Sequence, residues 1–358
     1  MPEGGTISLR RARALFAYWQ GERLLFHNFA NARTITANPI VCQVLDFFGN
    51  WRTPSKAIAQ FSSYEPNSVR AAISQLRKHD LLLVRGSTDA VRDAHLSRTW
   101  ADWLPEGSFH FCTKDTPFID RSRWTLARQM AATPKTPPPK IFKTVSGPKK
   151  RLPRAGNGSC SEFVRVLLER KTQREFSSTP VKLETIAELL RLVWGVQGYL
   201  YSPRFGKMLR KTSASGGARH PIEVYLMALR VRGLRPGLYH YHPDRHHLTL
   251  IKGSVTPEKA WLYCARQHDV KKAAALFIMT AVFERSMWKY RHPRAYRTVL
   301  LDAGHLGQTF YLVATWLGLA PFCTAALKDT LIDTDLGLDG ISESVVYVAG
   351  VGVSAVPD

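Results

Sequence analysis

Cysteine is scarce in this chain. The five present (Cys42, Cys112, Cys160, Cys264 and Cys323) are odd in number and scattered, with no C-x-x-C pair, so neither a disulfide framework nor a zinc site is indicated. No run of about 18 uncharged apolar residues occurs, which argues against a membrane-spanning helix. The N-terminus, MPEGGTISLRRARALF, lacks the apolar core of a secretory signal, so a cytoplasmic location is expected. No G-x-G-x-x-G follows a strand-like run and no G-x-S-x-G elbow is present, which disfavours a Rossmann dinucleotide site and a hydrolase. Acid is short as well: 28 Asp and Glu face 50 Lys and Arg, for a net charge of +22. Solubility rarely requires such a surplus, so an anionic partner is expected, an acidic peptide ahead of a partner protein or a nucleic acid.

What is present suits an ordinary globular protein. At 358 residues and 45% hydrophobic content, the chain is long enough for two domains and a sizeable core. Residues 1–90 read as a small winged-helix-like domain. Ala14–Trp19 and Arg23–Phe29 flank a Gln20-Gly21-Glu22 turn as a hairpin. Asn38-Pro39 opens a helix to about Phe48, Thr53-Pro54 opens another through Phe61, and Ser68–His79 is a third with Val69, Ala72, Ile73 and Leu76 on one face. Leu81–Val84 closes the unit as a strand. Such a module can read DNA through Arg70, Arg77 and Lys78, clamp a peptide leader on an edge strand, or be purely structural.

Residues 91–160 form a connecting segment. Its first part holds apolar islands (Trp100, Trp103, Leu104, Phe109, Phe111) without a clear element assignment. Between Arg121 and Cys160 there are ten Lys and Arg and no acid, and the proline-rich run from Thr133 to Ser159 reads as an extended linker. Residues 161–358 are α+β. Helices are expected near Ser161–Glu169, Leu183–Trp194, Pro257–Gln267 and Asp302–Leu317, the last apolar nearly all round and therefore buried. Strands are expected at Ile222–Arg230, Gly237–Tyr241, Leu248–Lys252, Ala274–Phe283 and Ser344–Val351.

Three segments carry candidate chemistry. The run from Arg210 to Pro221, RKTSASGGARHP, sets Thr212, Ser213, Ser215, Gly216 and Gly217 among cations. Adjacent glycines let backbone N–H groups approach an anion, although a Ser/Gly loop is also an ordinary surface turn. Arg170, Lys171, Thr172 and Arg174 crowd positive charge and a hydroxyl at a helix end, which suits a phosphomonoester. Trp288-Lys289-Tyr290 follows an apolar strand. A Lys ammonium beside a Tyr phenol in a partly dry pocket favours phenolate or neutral amine, and either can act as a base. His240, His242, His246 and His247 lack neighbouring Cys or Glu ligands and read as the polar face of a hairpin. Asp302 and His305 could join Ser215 in a triad, but without the elbow that reading is weak.

These segments resemble the SagB-type dehydrogenases, a branch of the FMN-dependent nitroreductase-like fold. The family's RRSxRxF motif corresponds to Arg170-Lys171-Thr172-Gln173-Arg174-Glu175-Phe176, and its PSGGARHP loop to Ala214 through Pro221. Gly237 through Pro243, the pair Lys289-Tyr290 and the stretch from Arg294 to His305 match three further motifs, and coverage runs from about Glu162 to Gly352. Lys171, Thr172 and Ala214 depart from the pattern, where arginine, serine and proline are usual.

The resemblance implies a nitroreductase-like FMN-binding fold and an intertwined homodimer with FMN where subunits meet. It implies Lys289 and Tyr290 as catalytic residues, and Arg170, Lys171, Thr172, Arg174, Ser213, Ser215, Gly216 and Gly217 as cofactor-binding. It further implies oxidation of thiazolines or oxazolines in a ribosomally made precursor peptide, in company with a cyclodehydratase. The alternatives are another flavin oxidation or reduction, such as Cα–Cβ desaturation or nitro/quinone reduction, and a flavin-free scaffold that delivers peptide.

Overall fold

Runs of β-branched and aromatic residues build a six-stranded sheet in the computed structural model, which describes residues 7–118, 161–267 and 270–355, with positions 141, 142, 148, 150 and 152 besides. The proline-rich linker expected from Thr133 to Ser159 lies almost wholly outside the described residues, as does Cys160. In spatial order the strands are His247–Gly253, Gly237–His242, Ile222–Ala228, Ala275–Val282, Glu343–Gly352 and Ala320–Thr324, each antiparallel to its neighbour. Ile222–Ala228 and Ala275–Val282 are apolar without alternation because both of their faces are covered.

Successive side chains supply two cores. Val224, Leu226, Phe277 and Met279 face the helices Leu183–Trp194 and Tyr296–Trp316, where Trp194 stacks on Phe277 with ring centroids 5.5 Å apart. Tyr225, Met227, Leu276 and Ile278 face the helices Pro257–Tyr263 and Asp329–Leu336.

The long helix departs from expectation at both ends and on one side. It begins at Tyr296, six residues before Asp302, because nothing between them breaks a helix and Tyr296 and Val299 extend the buried stripe. It is also not buried all round: Leu301 is 61% exposed and Trp316 43% in the single chain. Strand Ala320–Thr324 and helix Asp329–Leu336 were not foreseen. Pro321 reads as a strand breaker, but it sits on an edge strand, where a missing N–H is tolerated. A hairpin, Gly198–Ser202 with Gly206–Arg210, was likewise unforeseen.

The N-terminal module has the expected hairpin, three helices and closing strand with slightly shifted ends, and two strands that were not foreseen, Leu9–Arg11 and Arg33–Thr36. Leu15–Gln20, Arg23–Asn28 and Arg33–Thr36 form a meander, followed by helices Ile40–Phe47, Pro54–Gln60 and Pro66–Lys78 and by strand Leu82–Val84, which pairs with Leu9–Arg11. Thr53 caps the second helix, its hydroxyl accepting from the Lys56 amide. Leu9, Phe26, Leu45, Phe48, Ile73 and Leu76 fill the core of the unit.

The apolar islands after residue 87 resolve into two helices, Thr88–Thr99 and Leu104–Thr113, which share the core of the central sheet. Trp100, Trp103, His110 and Phe111 pack around Phe283 and Tyr296, with Trp100 4.7 Å from Phe283 by ring centroids. The Trp100 indole donates to the Ile341 carbonyl at 3.0 Å, and Lys114 reaches Asp333 at 2.7 Å. Asp93 ties the first helix back to the module: it accepts from Arg10 at 2.8 Å and from the Arg13 and Ala14 amides.

His110 sits inside this aromatic box, bonded through Nδ1 to the Tyr296 hydroxyl at 3.0 Å. Burial, aided by the Lys114 charge, pushes its pKa down to about 3. The unfolded chain takes up that proton near pH 6.5, so the stability this imidazole contributes is complete above about pH 6.5 and is lost as pH falls toward 3. Melting temperature should therefore drop from pH 7 to pH 5, and the drop should shrink in His110→Phe, even though that variant starts lower at pH 7.

Candidate functional site

The arginine-rich segment leaves the helix Glu162–Glu169 and is pinned to the edge strand. The Gln173 amide donates to the Pro321 carbonyl at 2.8 Å, and Phe176 packs on Phe322 with ring centroids 5.9 Å apart. These anchors hold Arg170 over the Tyr311 ring at 5.4 Å and bring the Thr172 hydroxyl within 3.0 Å of the Tyr311 hydroxyl. The Arg174 Nε is buried without a hydrogen-bond partner. Among the described residues, no carboxylate pairs with Arg170, Lys171 or Arg174. A buried guanidinium nitrogen with no acceptor is costly, and a phosphate is the group these donors fit.

The glycine loop is fastened to the long helix instead. The Ser215 hydroxyl donates to Asp302 Oδ2 at 2.5 Å, the Gly216 amide to Asp302 Oδ1 at 3.1 Å, and the His220 amide to Ser215 Oγ at 2.8 Å. Ser213 meets Thr309 at 2.7 Å, and His305 Nδ1 lies 3.1 Å from the Ala214 carbonyl. Ser215 and Asp302 thus touch directly and His305 does not stand between them, so the three residues clamp a loop and form no nucleophilic triad. Burial raises the Asp302 pKa against the pull of these donors.

Lys289 and Tyr290 close over the same loop. Lys289 Nζ donates to the Gly217 carbonyl at 3.3 Å and lies 4.2 Å from the Phe205 ring. Gly217 has φ +62°, and a Cβ there would overlap the Tyr290 hydroxyl and lie 2.6 Å from Lys289 Nζ. Arg219 stacks over Trp288 at 5.2 Å. The Trp103 indole, 187 positions away in the chain, donates to the Tyr290 carbonyl at 2.9 Å.

Beside the loop opens a cleft of about 710 Å³. Glu223 at its floor accepts from His240 at 2.9 Å and from Arg285 at 2.5 Å. Burial works against that carboxylate, but these two partners hold its pKa below the usual range. Burial also pushes Lys211 down to about 8 and, with the Lys211 charge adding, His220 down to about 4. The other clustered histidines are bonded within their hairpin, His242 to Thr249 at 3.0 Å and His246 to the Tyr241 hydroxyl at 2.8 Å.

Within one chain, the two halves expected to bind a cofactor are not brought together. The loop meets the long helix along Thr298, Asp302, His305 and Thr309, whereas Thr172 meets it at Tyr311. At about 100° per residue, Tyr311 lies roughly 200° around the axis from Thr309, on the opposite face. Asp302, Thr309, Tyr311 and Trp103 were not among the site residues expected from sequence. The Asp302 to His305 spacing was the one available hint, and nothing local marks Trp103.

Gly217→Ala should force the loop away from Lys289 and Tyr290, through both its strained φ and the overlap just described. The strain costs on the order of 1–3 kcal/mol. A folded protein whose amide exchange rises at residues 213–220 and 288–290, with the central strands still protected, is the expected result.

The nitroreductase family profile matches residues 167–353. The trifolitoxin-processing protein TfxB of Rhizobium leguminosarum bv. trifolii is 27% identical over 332 residues, which span 87% of this chain and 87% of that protein. A protein of Methanocaldococcus jannaschii assigned to the nitroreductases is 31% identical over 170 residues, 47% of this chain and 80% of the relative. The microcin B17-processing protein McbC of Escherichia coli is 29% identical over 136 residues, 37% of this chain and 50% of McbC. Two relatives named as processing proteins, for trifolitoxin and for microcin B17, agree with the resemblance to the SagB-type branch read from the motifs. With half of its length matched and the α+β sheet in place, the chain belongs to the nitroreductase family.

Proposed function

We propose that this chain is an FMN-dependent dehydrogenase acting on a ribosomally made peptide, where it oxidises thiazoline or oxazoline rings to thiazoles or oxazoles. One observation carries the reading: Lys289 and Tyr290 both press on Gly217, so two groups able to handle a proton stand at the loop that the family resemblance assigns to the flavin. The names of TfxB and McbC, both processing proteins of peptide products, support a peptide as substrate.

Members of the nitroreductase family commonly bind FMN. The residues present fit it, because the orphaned Arg174 Nε and the unpaired Arg170 and Lys171 suit a phosphate, with the Thr172 hydroxyl alongside. The loop would meet the group through backbone amides such as that of Gly217, since the hydroxyls of Ser213 and Ser215 and the amide of Gly216 are bonded inside the chain. The two halves of the site lie on opposite faces of the long helix, so a homodimer would join Arg174 of one copy to the Gly217 loop of the other. Exposed Phe163, Leu168, Leu301 and Trp316 offer apolar surface for that second copy. A cyclodehydratase that makes the azoline is the partner this chemistry requires upstream.

Aromatising an azoline removes one hydride and one proton and adds one ring double bond. FMN, when bound, accepts the hydride. Tyr290 or Lys289 takes the ring proton, and the carbonyl of Gly217 orients the Lys289 side chain. Trp103 fixes the backbone of the pair, and Arg219 on Trp288 forms the adjoining wall.

Lys289→Ala and Tyr290→Phe should keep FMN and fold while peptide oxidation falls about 10²–10⁴-fold, read as the loss of two hydrogens per ring by mass spectrometry. Steady NAD(P)H consumption with nitroaromatics and no peptide oxidation would instead make the chain a reductase. Arg174→Met should release flavin, with affinity falling about ten- to a hundredfold as one charge-assisted bond is lost. Unchanged flavin content in purified Arg174→Met would remove this arginine from the phosphate site.

A further inference from the structure

The hairpin of Gly198–Ser202 and Gly206–Arg210 forms a two-stranded sheet of its own. Tyr199, Leu200 and Tyr201 alternate between its two faces, and all three are exposed. A ribbon of two strands with neither face buried is marginally stable by itself. Its base is fastened. The Gln197 amide donates to the Arg210 carbonyl at 2.8 Å, and His220 Nε2 donates to the Leu209 carbonyl at 3.1 Å, which joins the ribbon to the end of the glycine loop. Its tip is not fastened in this way. The Phe205 amide donates to the Ser202 hydroxyl at 3.3 Å within the turn. Among the described residues, no hydrogen bond or ion pair joins residues 202–206 to anything outside the hairpin.

One ring carries the tip to the rest of the chain. Phe205 meets Trp288 edge-on, with centroids 6.2 Å apart and planes at 73°, and its centroid lies 4.2 Å from Lys289 Nζ. Two rings at nearly a right angle, with the Lys289 side chain beside them, make an aromatic corner next to the proposed catalytic pair. That corner is open: Trp288 remains 53% exposed although Arg219 stacks on it at 5.2 Å. An exposed aromatic face in such a place is what a flat ligand covers with gain.

We infer that the hairpin is a flap that grips the heterocycle of the substrate, with Phe205 and Trp288 packing on the five-membered ring and holding it beside Lys289 and Tyr290. The inference rests on the peptide-oxidising reading above and names the residue that selects for a ring. A thiazoline or oxazoline is nearly flat and its oxidised product is aromatic, so both offer a face to ring contacts at about 4.5–7 Å between centroids. The open-chain Cys or Ser residue from which the ring is made offers no such face. The corner therefore favours the cyclised residue over its precursor, which is the choice an azoline oxidase must make. Hinged at a base bonded to Leu209 and Arg210, the ribbon can carry Phe205 onto a ring or away from it while the glycine loop stays tied to Asp302.

The test uses the full FMN-loaded chain and two synthetic hexapeptides, one carrying a single thiazoline and the other a thiazole in its place. Phe205→Ala should raise KM for the thiazoline peptide about three- to tenfold, the value of one aromatic pair, while kcat moves by less than about twofold. Binding of the thiazole peptide, followed by calorimetry, should weaken by the same factor. Phe205→Tyr keeps the ring face and should restore KM. Phe205→Leu keeps apolar volume without a flat face and should not, which separates stacking from mere filling. Amide exchange at residues 199–209 should slow when the thiazole peptide is added to the wild-type protein, and should not slow in Phe205→Ala. An unchanged or lower KM in Phe205→Ala, wild-type behaviour of Phe205→Leu, loss of flavin, or a change of subunit assembly in Phe205→Ala overturns the inference. If the wild-type chain leaves the thiazoline peptide unoxidised, the dehydrogenase reading falls. Binding of the thiazole peptide and its weakening in Phe205→Ala then decide the flap by themselves.

Discussion

Asp302 lies buried in the middle of the long helix, 3% exposed, and so must find donors. It finds them in the Ser215 hydroxyl and the Gly216 amide. Leaving a buried polar group without such partners costs about 1–3 kcal/mol, which holds the loop to the helix. Everything near the candidate chemistry inherits that constraint. With the loop fixed, Gly217 presents its carbonyl to Lys289 and its bare Cα to Tyr290, and Ser215 in turn accepts from His220 to close the turn. The hydroxyls that look like ligand donors in sequence are thereby committed to holding the loop, and the backbone is left to face a ligand.

A second constraint comes from the N-terminal side. The segment from Phe283 to Tyr296, which carries the proposed catalytic pair, is gripped by rings at both ends, since Trp100 packs on Phe283 and on Tyr296 while Trp103 bonds the Tyr290 carbonyl. Aromatic contacts of this kind bury large areas in fixed geometry. The helices Thr88–Thr99 and Leu104–Thr113 therefore pack against the candidate site, although they lie outside the matched family segment 167–353. Asp93 and its bonds to Arg10, Arg13 and Ala14 continue the connection to the N-terminal module. Packed and hydrogen-bonded residues thus connect the N-terminal module to the pair Lys289 and Tyr290.

Much of the fold was legible in the residues. The helix Leu183–Trp194 was placed at its observed ends, because an apolar stripe of period 3.6 fills it from Ile186 to Trp194. The strands Ile222–Ala228 and Ala275–Val282 were found as largely apolar runs, interrupted by Glu223 and Thr280. Pro321 hid an edge strand, because local propensity sees a breaker where the sheet needs no N–H. The islands around Trp100 and Trp103 gave no period, because their partners, Phe283, Tyr296 and Ile341, lie far off in the chain.

The sequence by itself determined which residue types the proposed chemistry rests on: the cations Arg170, Lys171 and Arg174, the glycines of the loop and the adjacent Lys289 and Tyr290. These are covalent neighbours, and short-range spacing is what a sequence records. Only the tertiary structure decided how the groups are shared out. Folding turned Ser215 inward to Asp302, left Arg174 Nε without an acceptor, and set the arginine segment and the glycine loop on opposite faces of one helix. Those outcomes depend on burial and on contacts across scores of residues, which no local pattern encodes.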